Sequence, residues 1–135
     1  MPSFEHARVQ SRLGFRFELL RENGKPLFPA PQCKIHMKDR QAMPDISVFG
    51  ERSQNGKPPD SVPFVVIEVV SPDDFYGDVL ERLREYSAWG VKHVWVVDLH
   101  SRRLSVFAAH TLTETDRFRL PEHGIEITHE QIFDP

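Results

Sequence analysis

Glu68 sits in the most apolar run of the chain, Val62-Pro63-Phe64-Val65-Val66-Ile67-Glu68-Val69-Val70. The run does not alternate apolar with polar, so it reads as a strand covered on both faces. A bare carboxylate in such a strand is heavily penalised, and Glu68 must be protonated, paired with a cation or bound to a metal. Carboxylate oxygens suit hard cations such as Mg²⁺, which keeps several of its waters. Asp45 follows Pro44 at the start of the preceding strand, where antiparallel pairing would bring it beside Glu68. Two carboxylates on adjacent strands would make a divalent-cation site. The residues alone leave a second account equally open, in which Glu68 neutralises a buried arginine and Asp45 opens a turn after proline.

Other chemistry-bearing residues carry less. The seven histidines show no paired metal-ligand spacing. The lone Cys33 has no nucleophilic context, and neither a Gly-rich phosphate loop nor a Ser/His/Asp signature occurs. Lys34, Lys38 and Arg40 form a basic patch near Asp45 that could meet phosphates, although the solvent face of a strand explains them more simply. Trp89 and Trp95 are expected in the core.

These residues must be positioned by a short list of elements. Val9, Leu13, Phe17 and Leu20 form the stripe of an amphipathic helix that ends at Asn23-Gly24. Lys25 to Gln32, with Pro26, Pro29 and Pro31, reads as an extended connector, because proline lacks the amide donor of a ladder. Cys33, Ile35 and Met37 alternate with Lys34, His36 and Lys38, the period of a half-exposed strand. A short strand carrying Ile46, Val48 and Phe49 follows, then a polar loop, Gly50 to Asp60, expected to form a rim or mobile flap. After the Glu68 strand, Ser71-Pro72-Asp73-Asp74 leads into a helix from Tyr76 to Trp89, stopped by Gly90. Lys92 to Asp98 is a further apolar strand, and the strand–helix–strand order predicts a parallel crossover. Arg103 to Ala108 and Arg117 to Leu120 read as strands of a meander, and His129 to Phe133 as a terminal helical turn.

Composition bounds the rest. The 135 residues suit one domain spanning 1–135, with 39% hydrophobic side chains, enough for a core. Seventeen basic against twenty acidic residues leave a net charge of −3, too little positive field to attract nucleic acid by itself. One cysteine excludes an internal disulfide or a cysteine-cluster metal site. Met1 to Gln10 lacks the apolar region of a signal peptide and no run approaches a membrane span, so a cytoplasmic location away from membranes is expected.

Taken in order, Pro44-Asp45-Ile46-Ser47-Val48, Val66-Ile67-Glu68-Val69-Val70-Ser71-Pro72, Asp78 with Glu81-Arg82 and Tyr86, and Gly90-Val91-Lys92-His93-Val94-Trp95-Val96-Val97-Asp98 resemble the Uma2 family (DUF820) of restriction-endonuclease-like proteins. The likeness runs from about His6 to Phe133 and includes the closing Leu120-Pro121 and Gly124-Ile125-Glu126-Ile127. The resemblance implies a PD-(D/E)xK α/β fold, a central mixed β-sheet flanked by helices, with Asp45 and Glu68 as ligands of Mg²⁺, or Mn²⁺ in its place. It also implies hydrolysis of DNA phosphodiester bonds by a metal-activated water. The lysine that usually lies two residues after the Glu is Val70 here, and the family's displaced lysine on the following helix matches Arg82. At about 100° per residue, Arg82 lies about 40° round the helix from Asp78, at the edge of the Val79/Leu83/Tyr86 face. Arginine can hold a water or stabilise phosphorane charge, but it cannot act as a base. It could also serve only as a helix ion-pair partner of Asp78, or as the buried partner of Glu68. His6 matches a histidine of the family's opening segment. A homodimer is expected by family analogy alone, two active sites being needed for two strands.

Two function classes follow. One is a Mg²⁺-dependent DNA endonuclease with Asp45, Glu68 and Arg82 as site residues. The other is a catalytically impaired module of the same fold that binds nucleic acid or assembles with proteins. Arg82 in place of lysine and the net acidity favour the second; the Asp45/Glu68 pair favours the first.

Overall fold

The computed structural model describes residues 3–135. Met1 and Pro2, the first residues of the segment judged free of signal-peptide character, lie outside the described residues. Helix α1, Phe4–Glu22, is capped by the Ser3 hydroxyl, which accepts from the His6 amide at 3.0 Å, and it buries Val9, Leu13 and Phe17 as the spacing predicts. Strands β1 (Phe28–Pro31), β2 (Ile35–Met37), β3 (Arg40–Ala42), β4 (Ile46–Phe49) and β5 (Val65–Val70) precede helix α2, Tyr76–Trp89. Strands β6 (His93–Asp98), β7 (Arg103–Ala108), β8 (Thr111–Thr115), β9 (Arg117–Leu120) and β10 (Ile125–Thr128) follow, and α3 (His129–Ile132) closes the described chain.

Six strands form one mixed sheet in the order β1-β4-β5-β6-β7-β8, in which β5 and β6 are parallel and the other neighbours antiparallel. Because successive side chains of a strand point to opposite faces, β5 feeds two cores at once. Val65, Ile67 and Val69 pack with α1, with Trp95 and Val97 of β6, and with the β9–β10 hairpin. Val66 packs with Val79, Leu83 and Tyr86 of α2. The absence of alternation in the Glu68 run thus reflects helices on both sides of a central strand. Trp95 lies stacked on Phe118, ring centroids 4.3 Å apart, in the α1-side core. Gly90, at φ 109°, ends α2 in the left-handed conformation that glycine adopts without steric penalty.

The strands differ from the sequence expectation in three ways. The Pro-rich stretch is not merely a connector, since Phe28–Pro31 pairs with β4 as an edge strand. An edge needs donors on one side only, so it tolerates proline where a central strand does not. The meander stops at β8, and β9 leaves the large sheet to pair with β10. Strands β3 and β8 join β2 and β7 as hairpin partners that the sequence reading left unassigned. No helix among the described residues is long and apolar enough to cross a membrane.

Candidate active site

The β4–β5 register pairs Ile46 with Ile67 and Ser47 with Val66. Continuing it by one place sets Asp45 opposite Glu68, and residues directly opposite in an antiparallel pair project from the same face. That face is the α2 side. Both carboxylates are shielded from water: Glu68 is 5% exposed as a residue, and the Asp45 side chain is 16% exposed.

Each carboxylate is held by named donors. The Val69 amide donates to Asp45 Oδ2 at 2.7 Å, so the side chain takes a backbone donor at the point where β4 begins. His6 Nε2, brought in by the first turn of α1, lies 3.2 Å from Asp45 Oδ1. Gln10, one turn further along α1, donates from Nε2 to the Asp45 carbonyl at 3.1 Å. Across the site, the Tyr86 hydroxyl donates to Glu68 Oε1 at 2.7 Å, and Arg82 Nε lies 3.4 Å from the same oxygen. Arg82 and Tyr86 are four residues apart, which places them on one face of α2. Tyr86 is 1% exposed, whereas the Arg82 side chain is 40% exposed. The arginine thus spans from the buried carboxylate to solvent.

The electrostatics follow from this crowding. Burial, and next the adjacent Asp45 charge, push Glu68 up to about 7, against the Tyr86 hydrogen bond and the Arg82 charge. Asp45 is also raised by burial, opposed first by the Val69 amide. Glu68 is thus held toward its protonated form beside Asp45. Burial lowers the pKa of His6 despite the nearby Asp74 and Glu68 carboxylates. In neutral His6 the tautomer protonated on Nε2 serves Asp45, and it leaves Nδ1 as a buried acceptor with no partner. The Tyr86 hydroxyl is raised by burial and by Glu68.

Two adjacent shielded carboxylates, both held toward the protonated form by burial, are a donor set suited to a hard divalent cation. Among the described residues no three His, Cys, Asp or Glu side chains converge as a metal-ligand group, so such an ion would take most of its remaining ligands from water. That is the habit of Mg²⁺ rather than Zn²⁺.

The sequence singled out Asp45, Glu68 and Arg82, and the structure brings them together; Arg82 contacts Glu68 rather than pairing with Asp78. His6 joins them. The basic patch does not act as a unit there: Arg40 pairs with Glu85 in the second half of α2, while Lys34 and Lys38 are exposed on the β2–β3 hairpin. Tyr86 is the contact that sequence reasoning missed: periodicity placed it on the apolar face of α2, and the family resemblance included it without assigning it a role. Its signal was the four-residue spacing from Arg82.

Comparison with known proteins bears on fold and family. No curated protein matches the chain. A crystal structure from Anabaena variabilis ATCC 29413, described as "a putative nuclease belonging to DUF820", is similar at a TM-score of 0.83 with 20% identity, over 98% of this chain and 82% of that one. The likeness shows a common fold. A family model described as "Uma2: Putative restriction endonuclease" matches residues 1–132, and the chain therefore belongs to the Uma2 family.

Proposed function

We propose that the protein is a Mg²⁺-dependent endonuclease that hydrolyses DNA phosphodiester bonds, with Asp45 and Glu68 holding the ion and Arg82 meeting the phosphate. The observation that carries this reading is the shielded Asp45–Glu68 pair at facing positions of adjacent strands, where burial holds each carboxylate toward its protonated form. Bound there, a divalent ion supplies polarisation of the scissile phosphate and a water of lowered pKa for in-line attack. The chain's own residues do the positioning. Val69 N–H and His6 fix the two Asp45 oxygens, and Tyr86 fixes Glu68 Oε1, so neither carboxylate has to search over rotamers to meet an ion. Arg82 reaches from Glu68 to solvent and offers its remaining N–H groups to a phosphate oxygen, where charge builds as phosphorus becomes pentavalent. It supplies no base, being always protonated.

The 3.4 Å contact between Arg82 and Glu68 favours a second reading, a nuclease-fold module that does not cut. Plasmid nicking in Mg²⁺ or Mn²⁺, beside Asp45→Ala and Glu68→Ala, separates the two. The endonuclease reading predicts nicking by the wild type that both variants lose. A wild type that binds DNA without nicking it would favour the module.

A further inference from the structure

Asp45 carries half of the carboxylate site yet stands where the sheet stops holding the chain. The β4–β5 pairing runs from Ile46 to Val48, and Pro44, just before Asp45, has no amide hydrogen to give. Met43, one residue earlier, is exposed. A carboxylate at such a strand end has room to swing, and one that faces a second carboxylate is pushed to do so unless it is anchored.

Four donors supply the anchor. The carboxylate takes the Val69 amide at 2.7 Å and His6 Nε2 at 3.2 Å. The main-chain carbonyl takes the Gln32 amide at 2.9 Å and Gln10 Nε2 at 3.1 Å. A carbonyl oxygen has two lone pairs, and here both are engaged. The Val69 amide comes from β5 and the Gln32 amide from just past β1, whereas His6 and Gln10 are side chains sent from outside the sheet. The chain leaves β1 through Gln32 at φ 46°, a left-handed conformation that costs a non-glycine residue steric strain. Such strain persists where the surroundings over-determine it, and this instance lies beside the carbonyl that Gln10 holds.

His6 and Gln10 are four residues apart, so they share one face of α1 about one turn from each other. Val9 and Leu13, buried in the core, fix the helix that carries them. One turn of α1 therefore grips a single residue at two points, the carboxylate through His6 and the carbonyl through Gln10. A rotation of Asp45 about its own backbone breaks at least one of these contacts. The Gln10 amide can face only one way, because the Asp45 carbonyl is an acceptor; Nε2 points to it, and Oε1 is left toward Gln32 Nε2 at 3.5 Å.

We propose that Gln10 is a positioning residue of the carboxylate site: by donating to the Asp45 carbonyl it keeps the Asp45 carboxylate facing Glu68, in place for a divalent ion. This rests on the metal-dependent reading above, and one arm of its test needs no metal. Gln10→Met keeps the bulk of the side chain and removes its donor; Gln10→Ala removes both. The metal arm is Mn²⁺ binding to the full chain without nucleic acid, followed by the electron paramagnetic resonance signal of the free ion, on protein that circular dichroism shows to be folded. Both variants are expected to bind Mn²⁺ roughly fivefold more weakly than the wild type, the effect of one hydrogen bond. Ser11→Ala, at an exposed position of the same helix, should bind as the wild type does. The metal-free arm compares crystal structures of the wild type and Gln10→Met grown in EDTA. The Asp45 carboxylate should accept from the Val69 amide in the wild type, and should be displaced from it or split between rotamers in the variant. Unchanged Mn²⁺ affinity in Gln10→Met, equal weakening in Ser11→Ala, or an Asp45 carboxylate unmoved in the metal-free variant would each overturn the proposal. A wild type that binds no Mn²⁺, with Asp45 displaced in Gln10→Met, would support the positioning role and count against the metal reading alone.

Discussion

Replacing Glu68 with glutamine should make the metal-free protein more stable at pH 8 and should remove a specific slope from its stability profile. Glu68 is pushed up to about 7 from an ordinary 4.5. Between these values the folded state keeps a proton that the unfolded chain has lost, so unfolding free energy falls as pH rises through that window. The difference corresponds to roughly 3 kcal/mol, fully present below about pH 4.5 and gone above about pH 7, and it belongs to the coupled Asp45–Glu68 pair. Glutamine keeps an acceptor for the Tyr86 hydroxyl and offers an N–H to Asp45, imitating the protonated acid at every pH. The assay is urea unfolding in EDTA at pH values from 5 to 8, read as the difference between wild type and Glu68→Gln. His6, whose lowered pKa gives stability that rises with pH, acts in both proteins and largely cancels in that difference. The gap in favour of the variant should widen with pH, and Mg²⁺ should close it by stabilising only the wild type. A gap that stays constant from pH 5 to 8 would refute the reasoning, because it would mean that Glu68 is already ionised against the Arg82 guanidinium.

Tyr86→Phe removes the buried donor to Glu68 Oε1, so the pH window of that slope should move upward in the same unfolding experiment. Arg82→Lys places an ammonium where the family's lysine is expected and should raise the nicking rate; an unchanged rate would assign Arg82 to structure. The β7–β8 turn holds Ala109 and His110 at φ 52° and 64°, a left-handed pair that Asn-Gly adopts more readily. Replacing both, Ala109→Asn with His110→Gly, should stabilise the fold by about 1 kcal/mol in thermal or urea unfolding, without affecting nicking.

The parts of the fold legible in the sequence were those with an unambiguous period or an unusual residue. The Val9/Leu13/Phe17 stripe and the 76–89 helix followed from spacing, and the unalternating run around Glu68 marked a strand with helices on both faces. The approach of Asp45 to Glu68 was legible because antiparallel pairing fixes which residues share a face. Strand β1 was obscured by Pro29 and Pro31, since proline argues against a strand unless its edge position is known. Strand β8 was obscured because the turn before it, Ala109-His110, carries no glycine or asparagine to announce a hairpin. The partners of the site residues were harder still. Tyr86 faces the apolar core by periodicity, and only the three-dimensional placement of Glu68 shows that its hydroxyl has a carboxylate to bond. Arg40 offers the reverse lesson, a cation close to Asp45 in sequence that the β2–β3 hairpin carries away to Glu85.

The most direct measurement of the central claim is anomalous diffraction from crystals of the protein soaked in Mn²⁺, a readily visible stand-in for Mg²⁺. The account predicts a single peak between Asp45 and Glu68, about 2.0–2.2 Å from an oxygen of each, with the other ligands water. Soaked crystals with no peak at that position, and with the Glu68 carboxylate bonded only to Arg82 and Tyr86, would contradict it.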